Sequence, residues 1–153
     1  MDSQLVVGID VGGQTTKLGV VDARGTVLAQ TVIRTDTYST IEPYIAELAE
    51  AINKIIKDAD AEGKVRGIGV GAPNGNYYTG TIENAPNLPW GHNGVVEFAK
   101  LLSAAMNGLP VALTNDANAA AVGEMTYGAA RGMKNFIMIT LGTGVGSGIV
   151  ING

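Results

Sequence analysis

"IDVGGQTTKLGVVDARG", Ile9 to Gly25, is the stretch on which the fold turns. The apolar run "QLVVGID" leads into it and reads as a buried strand, which breaks at Gly12 and Gly13. "KLGVVDARGTVLAQTVI" then reads as two more strands folded over the turn "DARG". The pattern predicts a three-stranded antiparallel meander. A second stretch of the same construction closes the sequence: "MITLGTGVGSGIVING", Met138 to Gly153. Laying Gly12 on Gly142 puts Asp10 on Thr140 and Val20 on Val150, so strand, loop and strand coincide. A repeat of this kind predicts two similar domains facing one another, each giving one loop to a shared site.

The chemistry of such loops follows from what glycine lacks. Without a Cβ the turn takes positive φ and exposes successive N–H groups, which form a nest for an anion. Neither stretch has the G-x-x-x-x-G-K-[ST] pattern. The second loop also runs into the strand-like "IVING", whereas Rossmann and Walker loops open into a helix. The expectation is a pair of hairpin phosphate loops. Two tight β-turns that select glycine for their own geometry are the alternative.

Between the loops, Ile41, Tyr44, Ile45, Leu48, Ile52, Ile55 and Ile56 recur at helical spacing and predict an amphipathic helix from Ile41 to Asp60, capped by Ser39 or Thr40. "VRGIGVGAP" returns as a strand, followed by the Gly-, Asn- and Pro-rich excursion "NGNYYTGTIENAPNLPW", of a length that compact domains keep for binding. A helix from Val95 to Met106, the strand "PVALT", an Ala-rich helix to about Tyr127 and a hairpin from Asn135 complete the order βββαβαβα, then ββ. That order specifies a mixed α/β sheet with helices on both faces.

"LTNDANAAAVGE" places Thr114, Asn115 and Asp116 where a strand ends and a helix begins. Asn or Asp at this place caps the helix by accepting N–H bonds from its first turn. Open α/β sheets also bind ligands at the carboxyl ends of strands, where a carboxylate kept ionised by the helix N-terminus serves as general base. The two roles are compatible. Glu124, about two turns along that helix, reads as structural.

Composition narrows the partner. The chain has 153 residues, 46% hydrophobic and 16% charged, enough to bury a core, and a net charge of −4. With no basic face, nucleic acid is disfavoured as a partner, no polybasic patch serves an anionic membrane, and a small molecule is the more natural partner, so neither nucleic acid nor membrane is expected. The absence of an apolar run of about 18 residues or a signal-peptide pattern leads to the cytoplasm as the expected location. There is no Cys and one His, His92, so no zinc site is expected from these residues alone.

"GIDVGGQTTKLGVVD", "GIGVGAPNG", "NAPNLPW", "TNDANAAAVGE" with "YGAARG", and "ITLGTGVGSGIVING", in this order, resemble the N-terminal half of a ROK-family sugar kinase of glucokinase type. The likeness runs the length of the chain. It implies the actin-like, hexokinase-like ATPase fold (ribonuclease H-like βββαβαβα), in which two domains close over sugar and ATP. Carried over to this sequence, the resemblance makes Asp116 the base that takes the sugar hydroxyl's proton and Asn115 the holder of a neighbouring hydroxyl. Pro73, Asn74 and Asn87 line the sugar pocket, although Asn87 reads equally well as a turn residue. Gly12, Gly13, Gln14, Thr15, Thr16 and Lys17 face the phosphates, Asp10 meets Mg²⁺ through water, and Thr140, Gly142, Thr143, Gly144 and Gly146 form the second phosphate loop. Trp90 reads as packing. Gln14 stands where the family usually has Thr, and Asn74 where Gly is common.

The resemblance also implies a longer protein. Family members run to about twice this length, as two domains require, and the later half supplies a Cys-rich structural zinc motif, sugar-binding Glu and His, and the adenosine pocket. Residues 1–130 are accordingly expected to form the first domain and residues 131–153 the first hairpin of the second. On this reading the chain alone is inactive, its terminal hairpin mobile or paired with another copy, and the full-length protein a homo-oligomer such as a dimer. The family's sugar-responsive repressors, which carry a helix-turn-helix ahead of the first motif, and a non-catalytic sugar sensor are the alternatives.

Overall fold

A computed structural model describes residues 4–142 and 144–153. The opening stretch forms β1 (Leu5–Val11) and β2 (Thr15–Val21), and β3 (Val27–Arg34) follows over the "DARG" turn. The turn is closed by the Asp22 carboxylate, which accepts from the N–H groups of Arg24 (2.8 Å) and Thr26 (2.9 Å). The Thr26 bond is the main reason that its pKa lies below the ordinary aspartate value. β1, β2 and β3 pair antiparallel, with Asp10 opposite Lys17 and Val11 opposite Thr16. The meander is present as the sequence predicts.

Helix α1 (Ile41–Asp58) then crosses the sheet with Tyr44, Ile45, Leu48, Ile52 and Ile55 buried. Its N-cap is Thr40, though without a side-chain hydrogen bond. β4 (Val65–Ala72) returns parallel to β1, and after the excursion β8 (Val111–Asn115) lies parallel to β4. The sheet order is β3-β2-β1-β4-β8. Period two sends Leu5, Val7, Ile9 and Val11 into the core beneath α1, while Gly8 and Asp10 take the other face. Helix α2 (Phe98–Ala105) shares the α1 side, with Phe98 and Leu102 buried. Helix α3 (Asp116–Tyr127) packs on the opposite face, where Ala119 lies over Gly71 of β4.

The excursion carries more structure than its composition suggests. Three short strands, β5 (Gly75–Asn76), β6 (Thr81–Glu83) and β7 (Val95–Val96), form a separate small sheet. The helix expected from Val95 therefore starts at Phe98, because Val95 and Val96 pair with Glu83 and Ile82. Inside this region the Glu83 carboxylate accepts from Thr81 (2.6 Å) and Asn76 (3.1 Å), which holds its pKa below the usual value.

The terminal hairpin, β9 (Phe136–Leu141) and β10 (Val145–Val150), is a two-stranded sheet of its own. It lies against α3 through glycines: a Cβ on Gly146 would stand 3.2 Å from the Ala117 Cβ, and one on Gly148 2.5 Å from the Ala121 Cβ. Its outer row, Ile137, Ile139, Val145 and Ile149, is exposed. Among the described residues no helix is long and apolar enough to cross a membrane.

Candidate functional site

The three parallel strands end at one edge of the sheet, and three loops meet there. Asp10 of β1, Gly71 of β4 and Thr114 of β8 form one row across the sheet. Two residues further along, each strand gives up its ladder: β1 at Gly12, β4 at Pro73 and β8 at Asp116. Gly71 keeps the row open, since a Cβ there would be 3.2 Å from the Ala119 Cβ and 3.5 Å from the Asp116 Cα. Sequence reading passed over Gly71, whose one signal is its place in the alternating glycines of "GIGVGAP".

A cleft of about 830 Å³ opens at this edge. Asp10, Gly12, Gly13, Gln14 and Thr15 form one wall and Pro73, Asn74 and Asn87 another. Asn115 and Asp116 form the floor, and Thr140, Gly142, Gly144 and Gly146 the far side. Leu141, Val145 and Ser147 also line it and were not singled out from the sequence. The two glycine-rich loops thus face one cleft. They are also built alike, since each follows one strand and leads into its antiparallel partner, β1 into β2 and β9 into β10. Gly12 N–H donates to the Thr15 carbonyl (3.0 Å), and Gly142 N–H donates to the Gly144 carbonyl (2.9 Å). Thr143 lies outside the described residues.

Two residues of the expected phosphate loop are not in the cleft. β2 begins at Thr15, and from there successive side chains alternate between faces. Thr16 consequently points into the core, fully buried, with its hydroxyl 2.8 Å from that of Thr35 and 2.7 Å from that of Tyr44. Lys17 lies on the open face opposite Asp10, along an apolar groove floored by Gly8, Gly19 and Gly69.

Asn115 is the N-cap of α3, its Oδ1 accepting from the N–H groups of Ala117 (3.0 Å) and Asn118 (3.3 Å). Asp116 is the first helical residue, exposed to the cleft, and its Oδ1 accepts from the Ala117 N–H (2.9 Å). Capping and cleft-facing roles thus fall to adjacent residues.

Asn74 has φ 52, a left-handed conformation that Asn tolerates better than other side-chain-bearing residues. Its Nδ2 donates to the carbonyls of Glu83 and Asn84, 3.0 Å each, so the side chain staples its own wall. Asn87 is exposed at the cleft, and its carbonyl would be 3.0 Å from a Cβ on Gly13, so the first loop and the Asn87 loop touch. Trp90, three residues on, is buried between Tyr44 and Phe98, with centroids 4.8 and 5.9 Å away. It is packing, as the sequence suggests.

The profile of the ROK family matches residues 6–153. The chain belongs to the ROK family. It is 38% identical to the glucokinase of Streptomyces coelicolor over 148 residues, 96% of this chain and 44% of that protein. The fold matches the crystal structure of the ROK hexokinase from Thermus thermophilus with a TM-score of 0.82 at 35% identity, covering 97% of this chain and 47% of that one. It also matches the ROK-family glucokinase from Streptomyces griseus, crystallised with glucose and AMPPNP, with a TM-score of 0.74 at 36% identity, over 97% of this chain and 45% of that one. The architecture is therefore that of the ROK hexokinases, an actin-like ATPase fold, and the chain spans under half the length of these relatives.

Proposed function

We propose that the complete protein phosphorylates a hydroxyl of a hexose or N-acetylhexosamine with ATP, glucose foremost, and that this chain carries the base and the phosphate loops of that site. The observation behind this reading is the convergence of Asp116, the three Asn residues and both glycine-rich loops on one cleft. Kinship with glucokinases supports it. Cytoplasmic location and a homo-oligomeric whole belong to the same reading. So does the division at about residue 130, in which the hairpin's exposed outer row starts a second core.

The residues suit a nucleotide and a magnesium ion. Gly12 and Gly13 line the cleft without side chains, packed closely on the Thr15 and Asn87 carbonyls. Among the described residues no three His, Cys, Asp or Glu side chains converge on a metal position. Two carboxylates, Asp10 and Asp116, stand at the cleft, which matches the habit of Mg²⁺ to keep several waters and lean on one or two carboxylates plus substrate phosphates. When bound, ATP supplies the phosphoryl group and Mg²⁺ offsets its charge.

This chain's own part is positioning and one proton. The Asp116 carboxylate takes the proton from the sugar hydroxyl as that oxygen forms its bond to phosphorus and the bond to the ADP oxygen breaks. The amide nitrogen of Asn115 is left to hold a neighbouring hydroxyl, because its oxygen is committed to the helix. Asn87 and the stapled Pro73–Asn74 turn form the sugar wall. Gly13 to Thr15 would present N–H groups toward the phosphates, with the Gly12 N–H closing the turn on the Thr15 carbonyl, and Asp10 would hold the metal through water.

The test is ADP release by the complete protein over a panel of hexoses and N-acetylhexosamines. Release that depends on one sugar is expected. Tight sugar binding without any nucleotide turnover would instead favour a sensor or regulator.

A further inference from the structure

The first loop and the sugar wall touch at the cleft, where Gly13 meets Asn87. They are joined a second time underneath. The Thr35 N–H donates to the Gln14 carbonyl (2.9 Å), and the Thr35 hydroxyl meets that of Thr16 (2.8 Å). The Thr16 hydroxyl in turn meets the Tyr44 hydroxyl (2.7 Å). Three buried hydroxyls in series thus anchor the strand that leaves the loop. Tyr44, reached through α1, is fully buried, and burial pushes its phenol up to about 12, so it keeps its proton for this chain of bonds. The Tyr44 ring stacks on Trp90 at 4.8 Å and 29°. Trp90 ends the segment that carries Asn87, and its indole Nε1 is buried without a hydrogen-bond partner among the described residues. Stacking on Tyr44 and Phe98, and no hydrogen bond, therefore holds that ring.

We propose that Tyr44 is a positioning residue that sets the phosphate loop and the sugar loop in register, its hydroxyl holding Thr16 and its ring seating Trp90. The inference rests on the kinase reading of the cleft and extends it to a residue that touches neither substrate. A loop of bare N–H groups binds an anion well only if those groups are already aimed. Glycine makes residues 12 and 13 accommodating but not rigid. Rigidity has to come from the flanking strand, and Thr16 is the first residue of β2 whose side chain turns inward to be held.

The two halves of the side chain separate in a mutant series on the complete protein. Tyr44→Phe keeps the ring and removes the hydroxyl. We expect it to raise the KM for ATP about tenfold, the size of one buried hydrogen bond, while the sugar KM stays within about twofold. Thr16→Val should act like Tyr44→Phe, and Thr16→Ser should restore wild-type constants. Tyr44→Leu, lacking ring and hydroxyl, should raise both constants. Amide hydrogen exchange gives a readout free of turnover: residues 12–14 should exchange faster in Tyr44→Phe and Thr16→Val, and residues 84–88 should join them only in Tyr44→Leu. A lower melting temperature with unchanged constants and unchanged exchange in both loops would overturn the proposal and leave Tyr44 as core packing. A wild-type protein that transfers no phosphoryl group to any sugar would defeat the kinase reading instead, and the exchange pattern would still decide whether Tyr44 registers the loops.

Discussion

Thr15 and Thr16 are identical side chains one residue apart, and the pleat sends one to the cleft and the other to the core. A linear reading that treats residues 12–17 as one loop misses this, because it ignores where the strand begins. The alternation was available in the sequence, since Thr16, Leu18 and Val20 share a face and the last two are apolar. Burial of the Tyr44 phenol has a thermodynamic consequence. Its pKa is about 12 in the fold against 10.0 for the free group, so above pH 10 the unfolded chain loses a proton that the folded one keeps. Stability attributable to Tyr44 is therefore fully present below pH 10 and falls as pH rises toward 12, by up to about 3 kcal/mol. Chemical denaturation between pH 9 and 12 should show a steeper loss for wild type than for Tyr44→Phe. Gly13 belongs at the same scale. Its missing Cβ makes room for the Asn87 carbonyl, which is backbone and cannot swing aside. Gly13→Ala should accordingly raise the KM for sugar as well as for ATP in the complete protein, and an effect on ATP alone would mean that the two loops move independently.

At the scale of elements, long periodic segments were legible and short ones were not. The meander, α1 and β4 carry enough residues for a period of two or of 3.6 to stand out, whereas α3 was read from its alanine run after the end of the short strand β8. β5 and β7 have two residues apiece, too few for any period, and exist because β6 lies between them. That pairing also took Val95 and Val96 from the expected start of α2. The capping of α3 was read correctly in kind, and the structure assigns it to Asn115. Asn115→Ala should cost about 1 kcal/mol of stability, read from a denaturation midpoint. The docking of the hairpin rests on small residues on both sides. Gly148→Val would drive a side chain into Ala121 and the Ala117 carbonyl, so it should lift β10 off α3. Faster amide exchange across residues 145–150, with α1 unaffected, is the expected signature.

For the molecule as a whole, the cleft lies where the carboxyl ends of β1, β4 and β8 meet a second glycine-rich hairpin. Most of the cleft was visible in the sequence, because glycine clusters and the "TND" step mark strand ends whatever the fold. What was not visible is the scaffold behind it: Gly71, Thr35 and Tyr44 act through distances that only the packed structure provides. A base at Asp116 should be exposed by the substitution Asp116→Asn in the complete protein. The amide keeps the shape and the hydrogen bond from the Ala117 N–H but cannot take a proton. Sugar-dependent ADP release should fall by about 10² to 10⁴ while sugar affinity, measured by calorimetry, stays within about tenfold. Near-normal turnover in this variant would contradict the account and reduce Asp116 to the first residue of a helix.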